Sequence, residues 1–382
     1  MDPSQIPLSL YVHIPWCVKK CPYCDFNSHE AKGGIPEREY VDALMADLAQ
    51  ERELAAGRRI ATVFFGGGTP SLFKPDSIAR ILEGADALVP FASGAEVTLE
   101  TNPGTVEHGR FDGYRDAGVN RISFGVQSFD DAALVRIGRI HGADEARDAV
   151  RQAQDAGIAE INLDLMYALP QQDEARALAD VEAAVALAPT HVSHYQLTLE
   201  PNTLFAAKPP KLPDDDDAWA MQERAQAALA AAGYAQYEVS AYARGAAQCA
   251  HNLNYWRFGD YLGIGAGAHG KVTLADGAIR RSAKKMLPRS YLAGAASDER
   301  LGSESLVPHE QRPFEFMLNA LRLNEGFSLA LFEARTGLPR ATIEAPLAGA
   351  IAQGHLALDR DRIVPTALGR RFLNDVIEGF LP

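Results

Sequence analysis

The spacing of apolar residues alternates between two periods over the first 235 residues. Short apolar runs typical of buried strands are separated by stretches whose apolar residues recur every three or four positions, as in amphipathic helices. The predicted strands are 8–14, 60–65, 96–100, 121–127, 160–167 and 191–200, and the predicted helices are 36–54, 77–88, 107–116, 130–156, 173–187 and 217–232. Six such alternations predict an α/β fold with parallel strands and helical crossovers. Six units would form a curved, incomplete (β/α)6 barrel rather than the closed form with eight strands.

The pattern changes after residue 235. Residues 237–242 alternate like a strand, and the glycine-rich segment 263–270 lacks the lysine of a phosphate-binding loop, so it predicts close backbone packing. Beyond residue 306, helical patterns, a hairpin signal at 354–364 and a last helix predict a mainly helical, winged-helix-like domain. We therefore expect a barrel over 1–235, a barrel extension over 236–306 and a C-terminal domain over 307–382.

Composition narrows the class of protein. The chain has 382 residues, with 50 acidic and 37 basic side chains and a net charge of −13, which argues against a nucleic-acid binder. No apolar run is long enough to span a bilayer, and no signal peptide is evident, so we expect a soluble, cytoplasmic protein. The acidic run 214–217 precedes a predicted helix, and we expect it to cap that helix rather than to bind metal.

Three of the four cysteines lie within eight residues, directly after the first predicted strand. Their C-x3-C-x2-C spacing supplies Cys17, Cys21 and Cys24, one thiolate fewer than a coordinatively closed iron–sulfur cluster requires. One iron would stay open to a substrate or cofactor, as the open position does in catalytic zinc sites. A zinc site completed by His13 or His29 and a disulfide are the alternatives, and a reducing compartment disfavours the disulfide.

Polar residues stand where the predicted strands end, which is the edge that carries the chemistry in βα barrels. They are the loop 66–70, Glu100, Gln127 and Asp164. Three of the candidates also have a plain structural interpretation. The glycines of the loop suit a tight turn, Glu100 suits the start of a helix, and Arg139, further along, suits a solvated helix face.

The cysteine spacing, with Tyr23 just before the third cysteine, resembles the radical S-adenosylmethionine (SAM) superfamily. The resemblance implies a laterally open radical SAM barrel and a [4Fe–4S] cluster on the three cysteines, whose open iron is chelated by the amino and carboxylate groups of SAM. It implies that the glycine loop holds the amino group, that Arg139 pairs with the carboxylate and that Glu100 accepts the ribose hydroxyls. The SAM-binding residues that it implies are Tyr11, Gly67, Gly68, Thr69, Glu100, Gln127, Arg139 and Asp164.

Over nearly the whole chain, the segments YVHIPWC, CPYCDFNSH, GGGTP, GVQSF and DLMYALP resemble the oxygen-independent coproporphyrinogen III oxidase family. The true oxidases of that family carry a fourth cysteine two residues after the third, where this chain has Phe26. The haem chaperone (HemW-like) branch lacks that cysteine and carries an H-N-x-x-Y-W motif, present here from His251 to Trp256. The resemblance implies that His251 contacts haem, whereas the residues alone favour a hydrogen-bonded histidine in the core or in a turn.

Two functional hypotheses follow from this resemblance. The first is a haem chaperone that binds a [4Fe–4S] cluster, SAM and haem, and that transfers haem to respiratory haem proteins. The second is a radical SAM coproporphyrinogen III oxidase of porphyrin biosynthesis. A transcription factor that uses the C-terminal domain is disfavoured by the net acidity. Haem and respiratory haem enzymes are the expected partners, and peripheral membrane contact and a homodimer are both compatible with the sequence.

Overall fold

A mostly parallel sheet forms the frame of the chain in this computed structural model, which describes residues 1–104 and 111–382. The strands are β1 Leu8–Ile14, β2 Trp16–Cys17, β3 His29–Glu30, β4 Ile60–Gly67, β5 Phe91–Thr101, β6 Arg121–Gln127, β7 Glu160–Tyr167, β8 His191–Gln196, β9 Ala235–Gln236, β10 Ala241–Ala243, β11 Asp260–Ile264, β12 His269–Thr273, β13 Ile279–Lys284, β14 Leu301–Leu306, β15 Phe327–Ser328, β16 Leu356–Asp359 and β17 Arg362–Pro365.

Helices follow most of the strands. They are α1 Glu37–Glu51, α2 Pro75–Leu88, α3 Phe111–Asp116, α4 Asp131–Arg136, α5 Ala143–Asp155, α6 Glu174–Ala186, α7 Leu204–Ala207, α8 Asp215–Ala231, α9 Ala250–Trp256, α10 Pro288–Gly294, α11 Arg312–Ala320, α12 Leu329–Thr336, α13 Glu344–Ala352, α14 Ala367–Arg371 and α15 Leu373–Glu378. None of them, within the described ranges, combines the length and the apolar character needed to cross a bilayer.

The order of the main sheet confirms the predicted α/β class and the incomplete (β/α)6 barrel. Strands β1, β4, β5, β6, β7 and β8 lie side by side in chain order, and each pairs with the next in parallel. The sheet stays open, and on the other side of β1 the strand β11 adds in parallel, followed by β12, β13 and β14 in antiparallel order. Strands such as β1 are buried on both faces, which explains why they read as continuous apolar runs.

Several predicted elements differ from the structure. The stretch predicted as helical over 130–156 forms two helices, Asp131–Arg136 and Ala143–Asp155, and the strand predicted over 191–200 ends at Gln196. The prediction of one strand over 237–242 is wrong for 237–240, because the side chains of Gln236 and Glu238 close a turn there. The Gln236 amide donates to the Val239 carbonyl at 3.0 Å, and the Glu238 carboxylate accepts from the Ser240 N–H at 3.1 Å. The predicted helix 107–116 is present as Phe111–Asp116, and its first four residues lie outside the described ranges.

The C-terminal region is mainly helical, as predicted, and its small sheet has three strands in the order β15-β17-β16. The third strand, Phe327–Ser328, was not expected from the sequence because two residues are too few to show a period. The Phe316 ring packs edge-on against Phe327 and Phe332, and also against Phe258 of the barrel extension. One apolar core thus joins residues on both sides of position 306, and the three domain boundaries stay predictions.

The glycine-rich segment confirms the prediction of close backbone packing. A Cβ on Gly265 would lie 2.3 Å from the His13 carbonyl oxygen, and one on Gly267 would lie 2.3 Å from the Asn27 amide. Both glycines also have positive φ, where other residues are strained. The barrel extension therefore packs directly against the segment that carries the three clustered cysteines.

Candidate functional site

A cavity of 440 Å³ opens at the carboxyl ends of the parallel strands, and we call it the first cavity. Its volume lies within the range usual for small-molecule sites. Ten of the twelve predicted site residues line it, namely Cys17, Cys21, Cys24, Gly67, Gly68, Thr69, Glu100, Gln127, Arg139 and Asp164. Tyr11 and His251 are the two that do not.

All three clustered cysteines are free thiols at the wall of the first cavity, with Cys17 buried and the other two half-buried. Burial raises the pKa of the Cys17 and Cys24 thiols. Among the described residues, no three His, Cys, Asp or Glu side chains surround a position for one metal ion. A [4Fe–4S] cluster binds each thiolate at a different iron, so it needs a wider spacing of sulfur atoms than a single zinc ion does.

The histidines of the zinc alternative are already engaged. His13 Nε2 lies 2.9 Å from the Asn27 carbonyl oxygen and Nδ1 lies 3.1 Å from the Tyr11 hydroxyl, while His29 Nε2 lies 3.2 Å from Asn27 Oδ1. Burial lowers the pKa of His13 to about 4, so its ring is neutral. A zinc site that used His13 would have to break one of its two contacts.

The glycine loop after β4 is explained by packing within the protein. A Cβ on Gly67, whose φ is +114°, would lie 2.6 Å from the His13 ring, and one on Gly68 would lie 2.4 Å from the Trp16 carbonyl oxygen. The N–H groups of Gly68 and Thr69 donate to carbonyl oxygens of Ile14 and Trp16 at 2.8 and 2.7 Å. The missing side chains therefore let the loop lie against β1 and β2, and so fix one wall of the first cavity.

Two half-buried carboxyl groups, those of Glu100 and Asp164, face the first cavity from neighbouring parts of the sheet. Burial, together with repulsion from Asp164, raises the pKa of Glu100 to about 8, although its carboxylate accepts from the Gly67 N–H at 3.3 Å. Burial also raises the pKa of Asp164, which accepts hydrogen bonds from Asn162 at 2.8 Å and from Ser123 at 3.2 Å. A cationic ligand would relieve this repulsion and favour the ionised forms.

Arg139 crosses the floor of the site. Its Nη2 donates to the Gly125 carbonyl oxygen and to the Asn102 side chain, and its Nη1 lies 3.6 Å from the Cys21 sulfur. Its Nε is buried and has no hydrogen-bond partner among the described residues. A buried donor left in this state is costly unless a ligand pairs with it. The interpretation of Arg139 as a solvated helix face is wrong.

Several polar residues of this cavity were not predicted from the sequence, among them Asn102 and Tyr195. Asn102 donates to Thr69 Oγ1 at 2.8 Å as well as accepting from Arg139, and the Tyr195 hydroxyl donates to Gln127 Oε1 at 2.9 Å. Gln127 itself has φ +71°, a strained value for a residue other than glycine, which is most frequent at functional sites. Asn102 follows the end of β5 directly, so the strand-end argument could have included it.

A second cavity of 490 Å³ shares Asp25, Phe26, Gly67 and Glu100 with the first. Its other lining residues come from β1, the cysteine segment, the barrel extension and α11, namely Tyr11, His13, Asn27, Tyr255, Trp256, Phe258, Gly259, Tyr261, Gly267, His269, Lys271, Arg281, Met286 and Asn319. Tyr11, predicted to lie beside SAM, is therefore in the second cavity.

His251 lies in α9 and lines neither cavity. Its side chain is 1% exposed, its Nδ1 lies 2.8 Å from Thr62 Oγ1, and its Nε2 lies 3.0 Å from the Tyr255 hydroxyl. Because the Thr62 hydroxyl donates to Ser9, it accepts from Nδ1–H, which leaves the Nε2 lone pair for Tyr255. Burial lowers the pKa of His251 to about 3, so the ring is neutral. Iron ligation by Nε2 would require the loss of the Tyr255 contact.

Known protein families match two parts of the chain. The Radical SAM superfamily matches residues 11–184, and the HemN C-terminal domain matches residues 307–372. Among solved structures, the coproporphyrinogen III oxidase HemN from Escherichia coli superposes with a TM-score of 0.83 at 24% identity, covering 99% of this chain and 90% of that one. This similarity shows the fold.

Curated relatives match over nearly their full length. The chain is 52% identical to the heme chaperone HemW of Escherichia coli strain K12 over 375 residues, which cover 98% of each protein. It is 50% identical to HemW of Haemophilus influenzae over 383 residues, 99% of each, and 34% identical to HemW of Mycobacterium tuberculosis over 392 residues, 98% of this chain and 95% of that one. The chain therefore belongs to the haem chaperone (HemW-like) branch of the oxygen-independent coproporphyrinogen III oxidase family, within the radical SAM superfamily.

Proposed function

We propose that this chain is a haem chaperone that binds a [4Fe–4S] cluster and SAM in the first cavity, holds haem, and transfers the haem to respiratory haem proteins. The observation that carries the proposal is the pair of adjoining cavities, one lined by three free thiols and the other by aromatic residues. The names of the Escherichia coli and Haemophilus influenzae relatives, which are heme chaperones, support it.

The residues of the first cavity fit a three-cysteine cluster with bound SAM. Cys17, Cys21 and Cys24 supply soft thiolate ligands, and the unpaired Nε of Arg139 suits an anionic group beside the cluster. When bound, such a cluster supplies one open coordination position for the amino and carboxylate groups of SAM and one transferable electron. The first cavity therefore offers thiolate ligands for a cluster and an unpaired N–H donor for the carboxylate of SAM.

The chain's own groups can orient SAM without help from solvent. Glu100 and Asp164 place two half-buried carboxyl groups in the first cavity, where they suit a cationic ligand and its ribose hydroxyls. Arg139 is held in place by Gly125 and Asn102, so little entropy is lost when it pairs with a carboxylate. Binding of a cation would release the proton that Glu100 retains at neutral pH.

Phe26 supports the chaperone over the oxidase hypothesis. It occupies the position of the fourth cysteine of true oxidases, its side chain is 59% exposed, and it lines both cavities. An apolar ring there can contact the face of a macrocycle, and it offers no thiol for chemistry. We infer that the second cavity retains a porphyrin rather than converting one.

An anaerobic assay of the reconstituted chain tests the proposal. The chain is incubated with reductant, SAM and coproporphyrinogen III, with Escherichia coli HemN as positive control, and porphyrins are quantified by chromatography. In parallel, the chain is loaded with haem and passed through a desalting column. We expect retained haem at up to one equivalent per chain and no protoporphyrinogen. Turnover by this chain, or complete loss of haem on the column, would contradict the proposal.

The transfer of haem to another protein is tested separately, because a protein that only retains haem is a haem-binding protein and not a chaperone. The haem-loaded chain is mixed with the haem-free form of a respiratory haem protein, and transfer is followed by the change in visible absorption. We expect faster transfer than from haem-loaded albumin at the same concentration. Equal rates would limit the function to storage. Peripheral membrane contact, a homodimer and a cytoplasmic location stay predictions.

A further inference from the structure

The cysteine segment, residues 17–29, is joined to the barrel extension by the side chain of Asn27. The amide nitrogen of Asn27 donates to the Ala266 carbonyl oxygen at 2.9 Å and to the Met286 carbonyl oxygen at 2.8 Å. Asn27 comes three residues after Cys24. We propose that Asn27 is a positioning residue, whose contacts hold Cys24 and its neighbours in the arrangement that the cluster needs. This inference rests on the proposed function, because it assumes that the cluster binds.

Every polar atom of the Asn27 side chain has a partner. Both N–H groups of the amide face carbonyl oxygens, which fixes the orientation of the amide, and its Oδ1 accepts from His29 Nε2 at 3.2 Å. The main-chain carbonyl oxygen of Asn27 accepts from His13 Nε2 at 2.9 Å. Asn27 is therefore held by β1 and β3 on one side and by the barrel extension on the other.

The barrel extension leaves room for this side chain. A Cβ on Gly267, whose φ is +82°, would lie 2.3 Å from the amide nitrogen of Asn27. The segments that supply the two accepting carbonyl oxygens are paired with each other, since the Gly267 N–H donates to the Lys285 carbonyl oxygen at 3.0 Å. Any residue with a side chain at position 267 would displace the amide from this place.

A buried network fixes the segment that receives Asn27. The Ala266 N–H donates to the Tyr40 hydroxyl at 2.7 Å, and that hydroxyl donates to the His13 carbonyl oxygen at 2.8 Å. A fully buried ion pair between Asp47 and Lys284, at 2.7 Å, ties α1, which carries Tyr40, to β13. Because its acceptors are fixed in this way, we infer that Asn27 positions the cysteine segment rather than the barrel extension.

The contacts of Asn27 reach Cys24 through the neighbouring residues. Lys20, which lies between the first two cysteines, donates to the carbonyl oxygens of Phe26 and Ser28 at 3.0 and 3.3 Å, so it holds the residues on either side of Asn27. The Ser28 hydroxyl lies 3.8 Å from the Cys24 sulfur. A hydrogen bond to a sulfur ligand stabilises the charge added on reduction and so raises the reduction potential of a cluster. Asn27 should therefore affect this potential as well as the placement of the thiolate.

Spectroscopy of the anaerobically reconstituted chain tests the proposal. Asn27→Ala removes the amide, and Asn27→Asp keeps its size but loses its N–H groups. The matched control is Asn120→Ala, because Asn120 also joins two segments outside both cavities. Its amide donates to the Ala95 carbonyl oxygen at 2.9 Å, and its Oδ1 accepts from the Val97 N–H at 2.8 Å. Iron and sulfide content, a redox titration followed by electron paramagnetic resonance, and SAM affinity are measured for each variant.

Both Asn27 variants should have a lower cluster reduction potential than the wild type and bind SAM about tenfold more weakly. Asn27→Asp should show the larger change, because a carboxylate would face two carbonyl oxygens. Complete loss of iron from a folded Asn27 variant would be a stronger form of the same result. Asn120→Ala should lose stability in urea and keep the potential and SAM affinity of the wild type. Circular dichroism checks that each variant is folded.

Gly267→Ala tests the same contact from the other side. It displaces the amide while Asn27 is still present, so the reduction potential should again fall. The double variant of Asn27→Ala and Gly267→Ala should change the potential about as much as the larger of the two single changes, since both remove one contact. Fully additive changes would show that the two residues act independently and would overturn the inference.

The outcomes separate this inference from the proposed function. A wild type that binds no cluster contradicts both. A wild type that binds the cluster and SAM, while the Asn27 variants keep its reduction potential and SAM affinity, overturns only the positioning role of Asn27. Equal changes in Asn120→Ala would overturn that role too, because they would show that lost stability alone is the cause.

Discussion

The segment of the three cysteines and the helix α9 are both marked by short motifs, yet the structure uses their reactive atoms in opposite ways. Cys17, Cys21 and Cys24 are free and line a cavity. His251 is buried, and both of its ring nitrogens are paired inside the protein. A residue of ligand type within a motif can therefore either bind a ligand or build the wall beside it, and only its contacts distinguish the two.

In α9 the motif forms one connected network. Asn254 donates to Ser9 at 2.9 Å, the Thr62 hydroxyl donates to Ser9 at 2.7 Å, and His251 links Thr62 to Tyr255. This network ties α9 to β1 and β4. It places the rings of Tyr255 and Trp256 in the second cavity, so the motif contributes to haem binding in our interpretation through its last two residues.

The largest expected effect is on the cysteine segment. Replacement of Cys17, Cys21 or Cys24 by serine should remove nearly all bound iron after anaerobic reconstitution, because each thiolate would hold a different iron. The measurement is the iron and sulfide content per chain. Cys249→Ser is the matched control, since Cys249 is buried outside both cavities. Full iron loading in the three cysteine-to-serine variants would show that these cysteines, like His251, have a structural role.

His251→Ala should act mainly on stability. It removes one buried and one half-buried hydrogen bond, leaves the hydroxyls of Thr62 and Tyr255 without this partner and opens a void, which together should lower the free energy of unfolding by about 3–5 kcal/mol. Tyr255→Phe removes only one of the contacts and should cost about 1–2 kcal/mol. Urea unfolding measures both, and iron loading should be unchanged.

One outcome for His251→Ala would contradict the contrast between His251 and the three cysteines. If His251→Ala left the unfolding midpoint unchanged but abolished the haem spectrum, His251 would be a ligand like the cysteines. Its observed contacts would then describe only the haem-free form. Tyr255→Phe separates the cases, because freeing Nε2 should strengthen haem binding if His251 is the ligand and should leave haem binding unchanged if it is not.

Glu100 should make SAM binding depend on pH. Its raised pKa, about 8, means that the free site holds a proton at neutral pH, which a cationic ligand must displace. Affinity should therefore rise as the pH increases toward about 8 and then level off, with a slope of up to about tenfold per pH unit. Isothermal titration of the reconstituted chain between pH 6 and 9 measures this slope.

Two variants isolate the contribution of Glu100. Glu100→Gln should flatten the dependence of SAM affinity on pH, so that only the titration of SAM itself contributes to it. SAM should also bind more weakly to this variant at high pH. Asp25→Asn removes an exposed carboxylate from the same cavity and should keep the slope, because Glu100 is retained. If Glu100→Gln kept the full slope, the proton would belong to another group.

The first cavity could be predicted from sequence because it depends on local patterns and one rule of topology. Apolar runs located the strands, and the carboxyl ends of parallel strands meet at one edge, so Gly67, Glu100 and Gln127 had to lie close together. The closeness of His13 and Trp16 to the glycines could not be predicted. It arises where the end of β4 lies against β1 and β2, and no spacing in the sequence records it.

The second cavity and the burial of His251 also depend on tertiary packing. Tyr11, Tyr255, His269 and Met286 come from separate elements, and only the docking of the barrel extension brings them together. The break in the strand predicted at 237–242 is a smaller example of structure that the apolar pattern does not reveal. There two side chains hydrogen-bond to the nearby backbone and outweigh the strand pattern.

The smallest expected effect concerns the acidic run, a third set of ligand-type residues. Asp214 is the N-cap of α8, and its carboxylate accepts from the Asp217 N–H at 2.9 Å, which confirms the predicted cap. Asp214→Ala should lower the free energy of unfolding by about 1 kcal/mol without changing the metal content. Asp216→Asn removes the same charge from the first turn but keeps the cap, so it should cost less. Equal losses of stability in the two variants would show that the effect comes from the charge and not from the cap. A loss of bound metal in either variant would show that the acidic run binds a ligand, as the cysteines do, and is not structural like His251.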